Sequence, residues 1–505
     1  MTRLNIADAF LTEQLREGRA ERVAIHSAEG TFGYGAVNAL ADLYGHGLRE
    51  AGVRREERVF LAMPDGVEFV GAFFGILKLG AVVVMINPDL AQERIAELIE
   101  LCEPSAAVVG PGLADLFRGA APERSLPLVT PGGNGDVVIA DIDDTTPLES
   151  VPTHRDDPAI WLFSGGSTGV PKAVVQTHRS YLNTTVLYAQ ETLGYHEDDV
   201  TMSIPKLYFG YATGSNLLFP FSVGASSVLF PQHPTAEIVF DVIARFRPTI
   251  LINVPTMIAK MVSHPSAGSQ DLSCLRFASS AGEPLPVELY RSWKDLFGVE
   301  LLDGLGTAEM WHVFVTNRLG DVKPGTLGKP VAGFDIRICD PEGEPVPEGD
   351  VGQLWVKGDS RAIGYWRDMD RTATAFRGPW FVGGDLVRRD EEGYIEHHGR
   401  TDDRLKVGGK WLSPQEVESC LLEHDAVDLA VVVGVPNPDG LIKPVAFIVP
   451  AERRKGLETD LMTWVLERLD PYKHPRRIHV VDTMPLTHLG KVDRTRLREM
   501  AEGGC

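Results

Sequence analysis

Cysteine is scarce in this chain, and long apolar runs are missing from it. Its five cysteines are spread over 505 residues, without a CxxC pair or a Cys/His cluster at zinc spacing, which argues against a zinc module or a disulfide scaffold. The most apolar segment, residues 70–87, is interrupted by Lys78 and falls short of the ~20 residues that a membrane span requires. Residues 1–10 lack the apolar core of a signal peptide. We therefore expect a cytoplasmic chain without a membrane partner.

Cations are also outnumbered. Lysine and arginine total 49 against 70 aspartates and glutamates, giving a net charge of −21, which excludes a protein whose main task is to coat nucleic acid or an anionic membrane. The 44% hydrophobic and 24% charged content is typical of a globular protein. A chain of this length has room for more than one domain.

Short β-branched runs alternate with amphipathic stretches over the first four hundred residues. Residues 58–63, 81–86 and 106–109 have strand composition, and residues 67–79 and 90–102 between them have helical periodicity. This alternation predicts an α/β fold of parallel-type sheets covered by helices.

The sequence pattern changes towards the C-terminus. Residues 325–400 contain short strands with frequent turns, which predicts a β-rich subdomain. We place the domain boundary at Asp402, with residues 1–401 forming a large N-terminal domain and residues 402–505 a small, mobile α+β domain.

The sharpest local motif is Trp-Leu-Phe-Ser-Gly-Gly-Ser-Thr-Gly-Val-Pro-Lys at residues 161–172. Glycines let backbone N–H groups approach a phosphate closely, hydroxyls add donors, and Lys172 adds a mobile positive charge. The spacing departs from GxxxxGK[ST], so this is not a Walker loop. The motif favours a phosphate-binding loop, with an ordinary glycine-rich turn as the alternative.

Four weaker motifs follow. Residues 303–309 (Asp-Gly-Leu-Gly-Thr-Ala-Glu) end in a carboxylate that could hold Mg²⁺, or could simply be solvated. Asp385 and Arg400 bring an acid and a base near the predicted domain junction, where a carboxylate could accept two ribose hydroxyls or lie idle on the surface. Gly408-Gly409 would allow close approach to a ligand or form a plain β-turn. Lys491 follows a glycine, and an exposed lysine needs no function.

In this order and spacing, the motifs resemble the adenylate-forming superfamily of acyl-CoA and aryl-CoA ligases, luciferases and peptide-synthetase adenylation domains. The resemblance extends over residues 32–498. Residues 206–214, 302–314 and 439–444 are most similar to the benzoate and hydroxybenzoate CoA ligases. The resemblance implies that a benzoate-, hydroxybenzoate- or cinnamate-type acid attacks Mg·ATP to give an aryl-adenylate and pyrophosphate. The thiol of coenzyme A then displaces AMP.

The same resemblance implies roles for individual residues. The catalytic residues would be Lys491, Glu309 as the Mg²⁺ ligand, and Lys172. ATP would be bound by Ser164, Gly166, Ser167, Thr168, Gly169, Gly282, Glu283, Pro284, Asp303, Gly304, Thr307, Asp385 and Arg400. The aryl ring would contact Tyr211, Ala281, Gly306 and His312. The thioester step would use Lys406, Gly408 and Gly409, and the small domain would rotate about Asp402.

Several positions depart from the superfamily pattern. The usual Thr-Glu pair is Ala308-Glu309 with a threonine one place earlier, the usual Thr-Gly-Asp is Gly383-Gly384-Asp385, and the usual Ser-Ser-Gly at residues 164–166 is Ser-Gly-Gly. Residues 486–491, Leu-Thr-His-Leu-Gly-Lys, also differ from the common Lys-Thr-x-Thr-Gly-Lys. Two alternatives therefore stay open: an enzyme that activates nitrite with ATP to diazotise an amino-aryl acid, or otherwise adenylates without coenzyme A, and a catalytically idle nucleotide-binding homologue. We expect a monomer or homodimer.

Overall fold

The computed structural model describes residues 3–164, 171–407, 410–437, 441–451, 453–485 and 492–503. Within these residues, two large sheets and a smaller antiparallel sheet form the N-terminal domain, and a separate group of elements forms a smaller C-terminal domain. The predicted α/β class is confirmed.

The first large sheet has nine described strands, of which six neighbouring interior strands run parallel. The strand at one edge and the two at the other pair antiparallel. In spatial order the strands are Lys329–Pro330, Val313–Thr316, Leu301–Gly306, Phe277–Ser280, Ile250–Asn253, Val200–Ser203, Ser226–Val228, Val23–Ser27 and Gly30–Gly33.

The second large sheet has eight described strands, again with six parallel neighbours and two antiparallel strands at one edge. Its interior strands are near-continuous runs of valine, isoleucine and alanine, as expected for strands buried on both faces. In spatial order they are Gly364–Tyr365, Lys172–Thr177, Pro158–Ser164, Val82–Met85, Arg58–Ala62, Ala106–Val109, Leu128–Thr130 and Val137–Val138.

The predicted β-rich subdomain is an antiparallel sheet. Its described strands are Asp335–Cys339, Gly352–Lys357, Trp380–Arg389, Phe376–Arg377 and Ile395–Arg400. The C-terminal domain contains the hairpin Leu405–Val407 and Lys410–Leu412, and a sheet of Val427–Pro436, Ile442–Pro450 and Arg477–Val480.

Helices cover the sheets and pack closely where glycine allows it. A Cβ on Gly75 would lie 2.7 Å from the Cβ of Tyr44, so the helices Tyr34–Glu50 and Val67–Lys78 could not approach as they do with a larger residue there. The α-helices of the described residues are Glu13–Arg16, Tyr34–Glu50, Val67–Lys78, Gln92–Cys102, Ala114–Ala120, His178–Thr184, Gly210–Thr213, Phe219–Ser222, Ala236–Phe246, Pro255–Val262, Val287–Phe297, Met369–Ala375, Pro414–Leu422, Leu457–Arg468 and Arg494–Glu502.

Short helical turns of other kinds complete the fold. Three are π-helical, at Asp8–Thr12, Thr185–Thr192 and Gly214–Leu218, and three are 3₁₀ turns, at Ile139–Asp141, Ala267–Ser269 and Ala308–Met310, counted over the residues described above. Among the described helices, none combines the length and apolarity needed to cross a bilayer.

Candidate functional site

The Glu309 carboxylate lies where the two large sheets meet. It follows the strand Leu301–Gly306 of the nine-stranded sheet, and its Oε1 accepts hydrogen bonds from Ser164 Oγ at 3.0 Å and Tyr365 Oη at 2.8 Å, both on the eight-stranded sheet. Burial and the neighbouring Glu309 charge raise the pKa of the Tyr365 phenol, which therefore stays protonated and donates. A buried carboxylate is thus held by donors from the opposite sheet.

The 3₁₀ turn that carries Glu309 is fixed by two further contacts. Thr307 is its N-cap, with Oγ1 accepting from the backbone N–H of Met310 at 3.2 Å, and Gln176 Nε2 donates to the carbonyl of Ala308 at 2.7 Å. The threonine displaced by one place in the sequence therefore has a capping role in the turn.

Lys172 is held opposite Ser164 by an antiparallel hairpin. Ser164 and Lys172 are register partners at the two ends of the predicted phosphate loop, and the Lys172 Nζ lies 5.1 Å from the centre of the Tyr365 ring. The loop therefore begins at one donor to Glu309, Ser164, and ends at a lysine over the ring of the other donor, Tyr365. Gly166, Ser167, Thr168 and Gly169 lie outside the described residues.

The predicted ribose pair is also assembled by strand pairing. Asp385 and Arg400 are antiparallel partners, with Arg400 Nη1 donating to Asp385 Oδ1 at 3.4 Å. The same Oδ1 lies 3.2 Å from His397 Nε2. Arg400 Nη2 also lies 3.3 Å from Asp402 Oδ2, which places the predicted hinge residue beside this pair.

Gly383 stands where the superfamily usually has a threonine, and the structure has space there for a side chain. A Cβ at Gly383 would lie 3.5 Å from the Phe381 ring and 3.6 Å from Asp385 Oδ2, both ordinary contacts, whereas a Cβ at Gly384 would collide with the Arg400 guanidinium. We expect Gly383→Thr to restore one hydroxyl contact and lower the KM for ATP about threefold to tenfold. Steady-state kinetics at a saturating concentration of the carboxylic acid substrate measures this change. An unchanged KM for ATP contradicts the prediction. As a control, Gly384→Thr should raise the KM for ATP.

In the predicted adenine segment, residues 282–284, the Glu283 carboxylate already accepts hydrogen bonds from the protein. Glu283 Oε2 accepts from both the backbone N–H of Thr256 at 3.0 Å and its Oγ1 at 2.7 Å, at the start of the helix Pro255–Val262. Gly282 has a φ of 89° and no atom within 4 Å of a built Cβ. The adenine contact that the resemblance implies for this segment would therefore come from the backbone and from Pro284.

Asp303 lies in the buried part of the strand Leu301–Gly306, paired with Ser280 on the neighbouring strand. Burial raises the pKa of Asp303 to about 8, so at neutral pH the group is largely protonated and can donate as well as accept. Gly304, next to it, is packed too tightly for a side chain, since a Cβ would lie 2.8 Å from the carbonyl of Val315.

Three of the four predicted ring-contact residues, Tyr211, Gly306 and His312, are linked by contacts with His312, and Ala281 belongs to the same hydrophobic core. His312 Nε2 lies 3.1 Å from the carbonyl oxygen of Tyr211, and the two rings are 5.3 Å apart. The Tyr211 hydroxyl lies 2.8 Å from Ser279 Oγ, next to buried Ala281. A Cβ on Gly306 would lie 2.6 Å from the carbonyl of His312, so only glycine fits there. The arrangement is an apolar, partly aromatic cluster.

Burial of His312 predicts sensitivity to acid. Desolvation lowers its pKa from 6.5 to about 4, so the neutral ring contributes stability fully above pH 6.5 and loses it as the pH falls towards 4, by about 3 kcal/mol in total. The melting temperature should fall more steeply over this window in the parent than in His312→Gln. Equal slopes in the two proteins, measured by circular dichroism, would contradict the prediction.

The remaining predicted residues are less fully placed. Lys406 lies on the strand Leu405–Val407, whereas Lys491, Gly408 and Gly409 are outside the described residues. Tyr365, Gln176 and His397 were not indicated by any motif, because their partners are distant in sequence. In the part of the chain that the structure describes, no group of three or more His, Cys, Asp or Glu side chains could hold a metal ion.

Comparison with known proteins gives a family for this arrangement. Residues 11–366 match the model of the AMP-binding enzyme family, and residues 416–491 match that of the AMP-binding enzyme C-terminal domain. The two matches lie on either side of the predicted hinge.

Similarity to individual proteins extends over nearly the whole chain. The chain is 40% identical to a benzoate–CoA ligase of Thauera aromatica, with 98% of this chain and 96% of the relative covered. It is 36% identical to a 4-hydroxybenzoate–CoA/benzoate–CoA ligase of Rhodopseudomonas palustris, with 99% and 95% covered.

Solved structures agree. An anthranilate CoA ligase in complex with anthranoyl-AMP superposes with a TM-score of 0.93 at 37% identity, covering 99% of this chain and 98% of that one. A benzoate CoA ligase from Burkholderia xenovorans superposes with a TM-score of 0.91 at 36% identity, covering 98% and 99%. From its fold, its site and its full-length similarity, the chain belongs to the AMP-binding enzyme family.

Proposed function

We propose that this protein is an AMP-forming aryl-acid:CoA ligase. An oxygen of the aromatic carboxylate attacks the α-phosphorus of ATP, the bond to the bridging oxygen breaks, and pyrophosphate leaves. The thiol sulfur of coenzyme A then attacks the carbonyl carbon of the aryl-adenylate, loses its proton, and expels AMP. Full-length 40% identity to a benzoate–CoA ligase is the observation that carries this proposal.

The site residues can be assigned to the first half-reaction. Ser164, Lys172 and the loop between them would hold the β- and γ-phosphates with N–H, O–H and ammonium donors. Asp385 and Arg400 would bind the ribose hydroxyls, while the segment 282–284, Asp303 and Gly304 would line the adenine. These local donors are needed because the net charge of −21 repels anionic substrates.

Magnesium fits the donor set at Glu309. Mg²⁺ is typically bound by one or two carboxylates together with substrate phosphates and water, so a single buried carboxylate beside a phosphate loop is suitable. The ion would neutralise phosphate charge as pyrophosphate departs. Ser164 and Tyr365 both donate to Oε1 and so orient the carboxylate for that purpose.

The aromatic part of the substrate is assigned to the pocket of Tyr211, Ala281, Gly306 and His312. We base this assignment on their aromatic side chains and close-packed glycine, which suit a flat ring better than a long acyl chain. The similarity to an anthranilate CoA ligase solved in complex with anthranoyl-AMP supports an aryl-adenylate as the intermediate.

We also propose that the small domain rotates about Asp402 between the half-reactions. Lys491 would stabilise the carboxylate and α-phosphate oxygens during adenylation, and Gly408-Gly409 with Lys406 would line the thiol's path afterwards. Alternation of this kind lets one pocket serve two reactions.

A substrate panel tests the proposed function. The full chain is incubated with Mg·ATP and benzoate, hydroxybenzoates, anthranilate or cinnamate, with and without coenzyme A, and assayed for pyrophosphate and for aryl-CoA by mass spectrometry. We expect acid-dependent pyrophosphate release and CoA-dependent thioester formation. Reactions without acid or with a fatty acid are the controls.

Other outcomes identify the alternatives. AMP release that requires the acid but yields no thioester contradicts the CoA step. Nitrite-dependent AMP release with an amino-aryl acid indicates diazotisation. ATP binding without pyrophosphate release from any substrate indicates an idle homologue.

A further inference from the structure

His397 lies between the predicted ribose carboxylate and the C-terminal domain. Its Nε2 is 3.2 Å from Asp385 Oδ1, and its Nδ1 is 3.0 Å from Oε1 of Gln415, on the first turn of the helix Pro414–Leu422. The imidazole side chain is 18% exposed and the Asp385 side chain 7%. One partly buried ring therefore joins a residue before the hinge at Asp402 to a residue after it.

The chemistry of the two contacts is directional. A carboxylate oxygen only accepts, so His397 Nε2 carries the proton and donates to Asp385. At Nδ1, an imidazolium donates to the Gln415 amide oxygen and a neutral ring accepts from its amide nitrogen, so either protonation state forms this bond. Arg400 Nη1 donates to the same Asp385 oxygen at 3.4 Å, so two side chains hold that oxygen.

Strand geometry makes His397 the neighbour of Asp385. His397 pairs with Val387 in the antiparallel register that also pairs Arg400 with Asp385, with an irregularity between the two pairs. The adjacent His398 approaches Glu396 instead, at 3.5 Å, and is 38% exposed. Contact with Asp385 is thus specific to one of two consecutive histidines.

We propose that His397 is a positioning residue that holds the Asp385 carboxylate for the ATP ribose, and that Gln415 orients the His397 ring. The inference rests on the proposed function. It has a consequence for the reaction cycle: ATP affinity is highest while the helix Pro414–Leu422 is docked as in this structure, and it decreases when the C-terminal domain moves away.

Binding of a non-hydrolysable ATP analogue with Mg²⁺ to the full chain, measured by calorimetry, tests the proposal. His397→Ala should weaken binding about tenfold or more, because a charge-assisted hydrogen bond is lost. His397→Gln should recover part of the loss, since its amide can donate to Asp385. The KM for the aryl acid should not change, and His398→Ala should bind the analogue as the parent does.

The role of Gln415 is tested by a double-mutant cycle. Gln415→Ala should weaken binding less than His397→Ala does, and the double variant should bind no more weakly than His397→Ala alone, because both changes interrupt one contact chain. Additive losses would overturn the orienting role of Gln415. Melting temperatures of all variants show whether each one is folded.

Two further outcomes separate this inference from the proposed function. If parent and His397→Ala bind the analogue equally, or if His397→Gln binds no better than His397→Ala at an equal melting temperature, the positioning role is wrong while the ligase assignment stands. If the parent itself does not bind the analogue, the proposed function and this inference both fail.

Discussion

Replacing Lys491 with alanine should abolish most aryl-adenylate formation, with a fall of about a hundredfold or more, but leave thioester formation from supplied aryl-adenylate near the parent rate. The physical reason is that negative charge builds on the carboxylate and α-phosphate oxygens in the first transition state. The second step forms no new bond to phosphorus. Lys491 lies outside the described residues. The prediction therefore rests on its position in the sequence motif at residues 486–491.

Separate assays of the two half-reactions measure it. Pyrophosphate release reports adenylation, and consumption of a synthetic aryl-adenylate with coenzyme A reports transfer. Lys455→Ala removes a lysine from the same domain and should leave both rates unchanged. A bulky residue at Gly409 should have the reverse effect, with transfer lost and adenylation kept. If each variant loses both steps equally, domain alternation is contradicted.

Replacing Glu309 with glutamine should lower adenylation by about a hundredfold or more, because a neutral amide would not replace a carboxylate as a ligand for Mg·ATP. The substitution is close to isosteric, and the amide oxygen can still accept from Ser164 and Tyr365, which donate to Oε1 in the parent. The fold and the 3₁₀ turn should therefore persist. What is lost is the negative charge.

Tyr365→Phe is the matched comparison. It removes one donor to Glu309 but keeps the carboxylate, and we expect a fall of about tenfold or less, as for the loss of one hydrogen bond to a charged group. When Mg²⁺ is titrated at fixed ATP, Glu309→Gln should need a higher Mg²⁺ concentration for half-maximal activity, because its metal site is weakened. Parent-like activity of Glu309→Gln at an unchanged melting temperature would exclude this carboxylate as the metal ligand.

Much of the fold follows from local sequence pattern. The bounds of the strand Ala106–Val109 were predicted to the residue, and those of the helix Val67–Lys78 to within one residue, because composition and periodicity are strong in these segments. The glycine-rich and acidic motifs also indicated the carboxylates Glu309 and Asp385, since both follow recognisable turns. The resemblance to a known superfamily then supplied candidate roles, which local pattern alone left open.

Contacts between residues far apart in the sequence could not be predicted from local sequence pattern. The strand Gly364–Tyr365 is two residues long and has no periodicity to detect, yet it places the Tyr365 hydroxyl on Glu309. Likewise, nothing in the neighbourhood of Gln415 points to His397. Such contacts depend on how distant strands and domains come together, which a single sequence does not state.

The Glu309 site combines residues from both large sheets, and this has a consequence while the ribosome synthesises the chain. Ser164 and Glu309 are 145 residues apart, and at about 5–20 residues per second the ribosome needs roughly seven to thirty seconds to deliver the second after the first. Tyr365 follows 56 residues after Glu309. Until then the strand Lys172–Thr177 is an open sheet edge, able to pair with other chains. Nascent chains should therefore pass through a window of aggregation risk that closes when the strand Gly364–Tyr365 leaves the exit tunnel.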